Sequence, residues 1–259
     1  MTTLAATDVP AQVALPAPPR FYARMAAACV AVAFVGFAPT YWVPMARGTL
    51  AIDPIAHMHA LFFYGWVLLL WWQARLAASG QMTRHREFGV AGVALASGMC
   101  FVGMGMAIHS MRVADLAGAG TSVRAFAIVS VSGIALFAVL ILIAILNVRK
   151  PEVHKRLMLV ATISILQAAV GRWFVTFVAP PAPSGAVAAP PVFVTVMPAL
   201  VTNLLIVAAM LHDRRTRGSV HRIYWVAGGA VLAVQLLRVP LSGTDGWLRV
   251  TDWLLAMSP

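Results

Sequence analysis

The chain has 259 residues, 61% of them hydrophobic and 10% charged, with a mean hydropathy of +0.86 and a formal charge of +11. A soluble domain carries about 25% charge, so this composition argues against a soluble enzyme. The positive charge gathers in loops between apolar stretches, which points to anionic lipid headgroups at one membrane face and not to nucleic acid.

Residues 1–19 (MTTLAATDVPAQVALPAPP) are Ala/Pro-rich and are expected to form a flexible tail. They lack the basic residues and long apolar core of a signal peptide. Seven apolar stretches follow, each near the roughly 20 residues that a spanning helix needs. The first is 21–45, closing on Thr40, Tyr41, Trp42 and Pro44; the second, 55–78, carries Trp66, Trp71 and Trp72; the third is 87–111. The fourth, 124–148, is almost featureless, and the fifth, 155–178, leads into a Pro/Ala/Gly loop (APPAPSGAVAAPP). The sixth is 191–211, with Pro198, and the seventh is 222–240. Residues 244–259 are too short to span again; Trp247, Leu248, Trp253, Leu254 and Leu255 alternate with Arg249 and Asp252, as in an amphipathic segment lying at headgroup depth.

The basic residues set the orientation. Arg20, Arg24, Arg75, Arg84, Arg86, Arg149, Lys150, Lys155, Arg156, Arg214, Arg215, Arg217 and Arg222, 13 of the 19, fall on one side. That side is expected to be cytoplasmic, with the N-terminus inside and the C-terminus outside. The expectation is therefore an all-α, seven-transmembrane-helix bundle over residues 20–243, multi-pass in a bacterial inner membrane.

This topology sorts the histidines into two layers. His57, His59 and His109 fall near the outer face, where neutral imidazole would ligate haem iron or a transition metal. Asp53 and Tyr41 are close enough in sequence to join them. An i,i+2 pair diverges by about 200° on a regular helix, so His57 and His59 share one ion only if their helix starts late. Arg172 lies 17 residues after Lys155, about 25 Å along a helix, at the same depth. It suits a haem propionate, a quinone oxygen or a phosphate, or a snorkelled position beside Trp173. The plainer reading of all four is polar residues at helix ends.

At the inner face, His85 and Arg86, His154 and Arg156, and Asp213 and His221 open or close helices. They are read as solvated loop residues, or as contacts for a phosphate, a nucleotide or an acidic partner subunit. Gln73, Gln167, Asn203 and Gln235 lie within spans and need partners inside the bundle. The third span has Gly92, Ala96 and Cys100 at intervals of four, a stripe suited to close helix packing. Walker A, HExxH, GxSxG and CxxCH patterns are absent from the sequence. All eight acidic residues fall outside the expected span centres, which disfavours proton-coupled transport.

The strings HMHALFFYGWVLLLWWQARLAASG, HREFGVAGVALA and HKRLMLVATISIL, with the later Arg-Trp, HDRRTRGSVHR and LSGTDGW, resemble a widespread family of uncharacterised bacterial seven-helix inner-membrane proteins. The likeness covers about residues 50–249. It implies a seven-helix bundle and makes His57, His59, His85, Arg86, His154, Arg156, Arg172, Asp213 and His221 motif positions, without supplying an activity. HKRLM is also similar to a segment of small membrane proteins linked to haem-copper oxidase assembly. Three functional readings follow: a redox or cofactor-handling role with haem or a metal on the outer histidines; a structural or assembly subunit of a larger membrane complex; and a small-molecule carrier or lipid- or quinone-binding enzyme.

Overall fold

The computed structural model describes residues 20–118, 120–178 and 189–257, so the expected N-terminal tail lies outside the described residues. The described chain is helical throughout: α1 (Phe21–Gly36), a π-helical turn (Ala38–Trp42), α2 (Val43–Ala46), α3 (Pro54–Ala78), α4 (Met82–Leu116), α5 (Thr121–Leu146), α6 (Pro151–Ile165), α7 (Gln167–Phe177), a 3₁₀ turn (Val192–Thr195), α8 (Val196–Arg217), α9 (Arg222–Leu241) and α10 (Asp245–Ala256). Six helical stretches are long and apolar enough to cross a membrane, with α6 and α7 together making one. A seventh crossing exists if α1 and the Ala38–Ala46 segment, bent by 43°, form one span. This is the architecture of a multi-pass membrane protein.

Sequential helices pack antiparallel, α3 on α4, α4 on α5 and α5 on α6, while α1 lies against α3, α6 and α7. All 13 clustered basic residues fall at one end of the bundle, called here the basic end; the other is the far end. Large apolar side chains such as Phe101 (80% exposed) and Leu61 (71%) point away from the bundle, as on a surface that lies against lipid. The centre is α6, where Arg156, Leu157 and every residue from Leu159 to Ser164 are buried. Trp66 of α3 donates its indole N–H to Thr162 Oγ1 at 3.0 Å and meets Phe137 of α5 edge-on, filling the core beside Met99, Val160 and Val231.

The small residues of α4 act in packing. A Cβ on Gly98 would run into the Phe62 ring, and one on Gly103 would stand 2.8 Å from Ile134 Cδ1. These glycines let α3 and α5 seat side chains against the α4 backbone. Helix α4 also outruns its expected bounds of 87–111. It has 35 residues, about 52 Å at 1.5 Å per residue. The apolar pattern stops at the hydrocarbon edge, but a helix satisfies its own backbone hydrogen bonds and continues into the polar sequences TRHR and SMRVADL.

The terminal segment folds as α10 and docks on α4 and α5. Arg124 pairs with both Asp115 oxygens and with Asp252, and the Trp247 indole donates to the Arg124 carbonyl at 2.8 Å. Trp253 stays exposed on its outer side.

Candidate functional site

The basic end is a clasp. Arg156 of α6 is 1% exposed and donates from Nε and Nη2 to the two oxygens of Asp213 of α8, at 2.9 and 2.6 Å. Its Nη1 donates to the carbonyl and carboxylate of Glu152. The guanidinium lies over the rings of Tyr224 and Tyr22, whose hydroxyls are 3.2 Å apart. The expectation of solvated loops is corrected here for Arg156 and Asp213, because the ends of α1, α6, α8 and α9 close over them. A buried arginine needs this full set of acceptors. Gly218, with φ +74°, ends α8 in the left-handed conformation. The tight turn brings the His221 N–H onto Asp213 Oδ2 at 3.2 Å. His221 Nδ1 accepts from the Ile223 N–H and caps α9. Burial, together with the Arg156 and Arg217 charges, lowers the His221 pKa below its usual value.

His85 and His154 repeat one device. Each stands on the first turn of its helix and places Nδ1 on a carbonyl near the end of the preceding helix, Gln73 at 3.2 Å and Ala144 at 2.8 Å. These bonds staple the α3–α4 and α5–α6 hairpins. Arg86 is exposed beside them. The basic-end motif residues are thus mostly structural.

The far end is built differently. Pro39 follows Gly36 closely and has no N–H, so the α1 ladder cannot run on regularly. The amides of Thr40, Tyr41 and Trp42 all converge on the Phe37 carbonyl, which widens the turn to a π-helix. This turn aims Tyr41 and Trp42 at α3. Trp42 stacks on Phe34 and leans on Tyr64, with ring centroids 5.4 and 4.9 Å apart. Tyr41 OH and His57 Nδ1 share a hydrogen bond at 3.0 Å. Arg172 of α7 stands 5.6 Å above the Phe37 ring. Among the described residues it has no carboxylate or hydrogen-bond partner. It lies within electrostatic reach of His59.

This wall also collects incompletely bonded polar atoms. Among the described residues, Thr40 Oγ1 and His59 Nδ1 are buried without hydrogen-bond partners, and the neighbouring Trp42 Nε1 and Tyr64 OH fall short of bonding geometry. Such atoms are uncommon in folded proteins and gather where a ligand or water is received.

Helix α3 begins at Pro54, so His57 and His59 both sit on regular helix and diverge. His57 faces Tyr41, whereas His59 stacks on Phe63 at 4.1 Å. His109 Nε2 donates to Asp53 Oδ2 at 2.8 Å. The expected joint ligand set of His57, His59 and His109 is not assembled: no group of three or more His, Cys, Asp or Glu among the described residues is placed to hold a metal ion. Arg172, His57 and His59 do share the far end. The sequence singled out Tyr41, but not Phe34, Trp42 and Tyr64, because their grouping depends on the π-turn.

A third polar set lies deeper. Arg238 of α9, 3% exposed, donates from Nε to Ser132 Oγ at 2.7 Å and from Nη1 to Gln167 Oε1 at 2.9 Å. Gln167 Nε2 donates to the Thr195 carbonyl, and Asn203 Nδ2 donates to Gln235 Oε1. Three of the four amides expected to need partners find them this way; the side-chain polar atoms of Gln73 are buried without any among the described residues. Comparison with family models, curated proteins and solved structures gives no match.

Proposed function

We propose that this chain is a seven-span protein of a bacterial inner membrane, basic end and N-terminus in the cytoplasm, which handles a redox-active ring compound at its outer face. The ligand class is a quinone-type headgroup. The observation that carries the reading is the Tyr41–His57 hydrogen bond set in an aromatic wall beside Arg172, which lies over Phe37 and has no carboxylate or hydrogen-bond partner among the described residues. A quinone carbonyl accepts from an imidazole N–H or a phenol and stacks on aromatic faces. Arg172 supplies a fixed positive charge for a reduced, anionic oxygen. The anionic lipids expected at the cytoplasmic face and any neighbouring subunits are secondary partners in this reading.

The test is tryptophan quenching of the purified protein in nanodiscs by a short-chain quinone. Saturable quenching that weakens at least tenfold in Tyr41→Phe and Arg172→Gln supports the proposal. Quenching that never saturates, or that is unaltered in both variants, overturns it.

One observation favours haem as a second reading. With Nδ1 held by Tyr41, Nε2 of the exposed His57 is the nitrogen left to bind iron, the arrangement in which a second partner orients a histidine ligand. That reading predicts a reduction-sensitive Soret band lost in His57→Ala and kept in His109→Ala. A colourless protein from haem-supplied cells excludes it.

A further inference from the structure

Among the described residues two arginines, Arg156 and Arg238, are buried, and their surroundings are opposite. Arg156 meets the carboxylates of Asp213 and Glu152. Arg238 meets a hydroxyl and an amide oxygen, and among the described residues no carboxylate pairs with it. A guanidinium stays charged at any physiological pH. The closing carbonyls of α9 offset part of that charge but do not neutralise it. Its Nη2 makes no hydrogen bond among the described residues. That nitrogen faces the backbone of Gly133 on α5, where a Cβ would stand 3.3 Å away. Gln235, 3% exposed and one turn earlier on the same face of α9, accepts from Asn203 through Oε1, while its Nε2 donor is buried and unbonded among the described residues.

Arg238 lies 16 residues beyond Arg222, about 24 Å along α9, and so near the far end. A cavity of about 310 Å³ opens there between α5 and α9, lined by Ser122, Ala125, Val192, Val239 and Ser242 among others. Ala125 and Ser132 share a face of α5, seven residues apart, and Arg238 and Ser242 share a face of α9, four apart. The cavity therefore stands on the far-end side of the two stripes that carry Ser132 and Arg238, and neither of these residues lines it.

We infer that Arg238, with Ser132, Gly133 and Gln235, forms a binding site for a small monovalent anion, a carboxylate or halide, that reaches it from the far end. One unbalanced positive charge calls for one negative charge. The free N–H groups of Nη2 and Gln235 Nε2 are the donors such an anion lacks once it leaves water. Gly133 keeps the space beside Nη2 open. This site is independent of the aromatic wall at Tyr41 and His57.

The experiment is thermal unfolding of the full chain in detergent, with the bulky sulfonate HEPES as the only background anion, titrated with acetate and separately with chloride. A saturable rise in midpoint is expected for the wild type, lost in Arg238→Gln. Gly133→Ala keeps the charge but crowds Nη2, and should raise the half-saturating concentration at least tenfold. It decides the question even if Arg238→Gln does not fold. A linear, non-saturating response of the wild type to both anions overturns the inference, as does an unchanged half-saturation in Gly133→Ala.

Discussion

The Trp173 indole N–H donates to the Val35 carbonyl across the α7–α1 contact, at 2.8 Å. In an unbroken helix Val35 would receive the N–H of residue 39, but that residue is Pro39 and has none. A side chain from another helix thus completes the hydrogen bond that the proline removes. Gly36 makes the approach feasible, since a Cβ there would fall 2.5 Å from Ala169 Cβ. The π-turn, and with it the placement of Tyr41 and Trp42, depends on this repair.

Val35 and Trp173 are both partly exposed, so Trp173→Phe should destabilise the bundle by about 0.5–1.5 kcal/mol, the net contribution of one hydrogen bond. Adding Pro39→Ala, which restores an N–H at position 39, should recover part of that loss. Denaturant unfolding in mixed micelles measures both. Additive losses in the double variant would show that Trp173 does not serve the carbonyl that Pro39 leaves open.

Asp213→Asn leaves Arg156 buried with a weakened counter-ion and should cost about 3–5 kcal/mol. Replacing Arg156 and Asp213 together by leucines should cost much less than the sum of the single changes, because the stranded charge disappears. A double-mutant cycle on unfolding free energy checks this. Coupling near zero would mean that Glu152 and the two tyrosines hold Arg156 without Asp213.

The lowered pKa of His221 has a definite sign. The folded state favours neutral imidazole, so the stabilisation is complete above the unfolded value of about 6.5. It is lost as pH falls through that value toward the lower folded one. Wild-type unfolding midpoints should therefore drop between pH 7 and pH 5. His221→Asn keeps a capping side chain without titrating there, and its profile should be flatter. Equal slopes for the two proteins would place the pH dependence elsewhere.

Topology is open to direct measurement. If the bent α1–α2 pair is one span, the chain crosses seven times, and the two ends of the described chain lie on opposite sides. Single cysteines at Thr49 and Thr244, in a background lacking Cys29 and Cys100, should then label with a membrane-impermeant maleimide in intact cells, whereas one at Ser219 should not. Protection of Thr49 with labelling of Ser219 would invert the orientation.

The sequence determined the solvent, the helical class and the approximate spans. Runs of about 20 apolar residues admit few other solutions when every backbone polar group must be satisfied in lipid. It also placed the histidines by depth, because helix rise converts residue number into height. It could not give rotation about each helix axis or the surroundings of each polar group. His57 and His59 share a height yet face different neighbours, since α3 starts at Pro54 and two residues turn the helix by about 200°. Arg156 and Asp213, 57 positions apart, read as loop charges until four helix ends close around them. Arg238 stands outside the 13 clustered basic residues, and only the packing of α5, α7 and α9 buries it with no carboxylate partner among the described residues. Apolar length and rise are local properties of the chain. Burial, pairing and facing depend on contacts between distant segments, and those were decided by the tertiary structure.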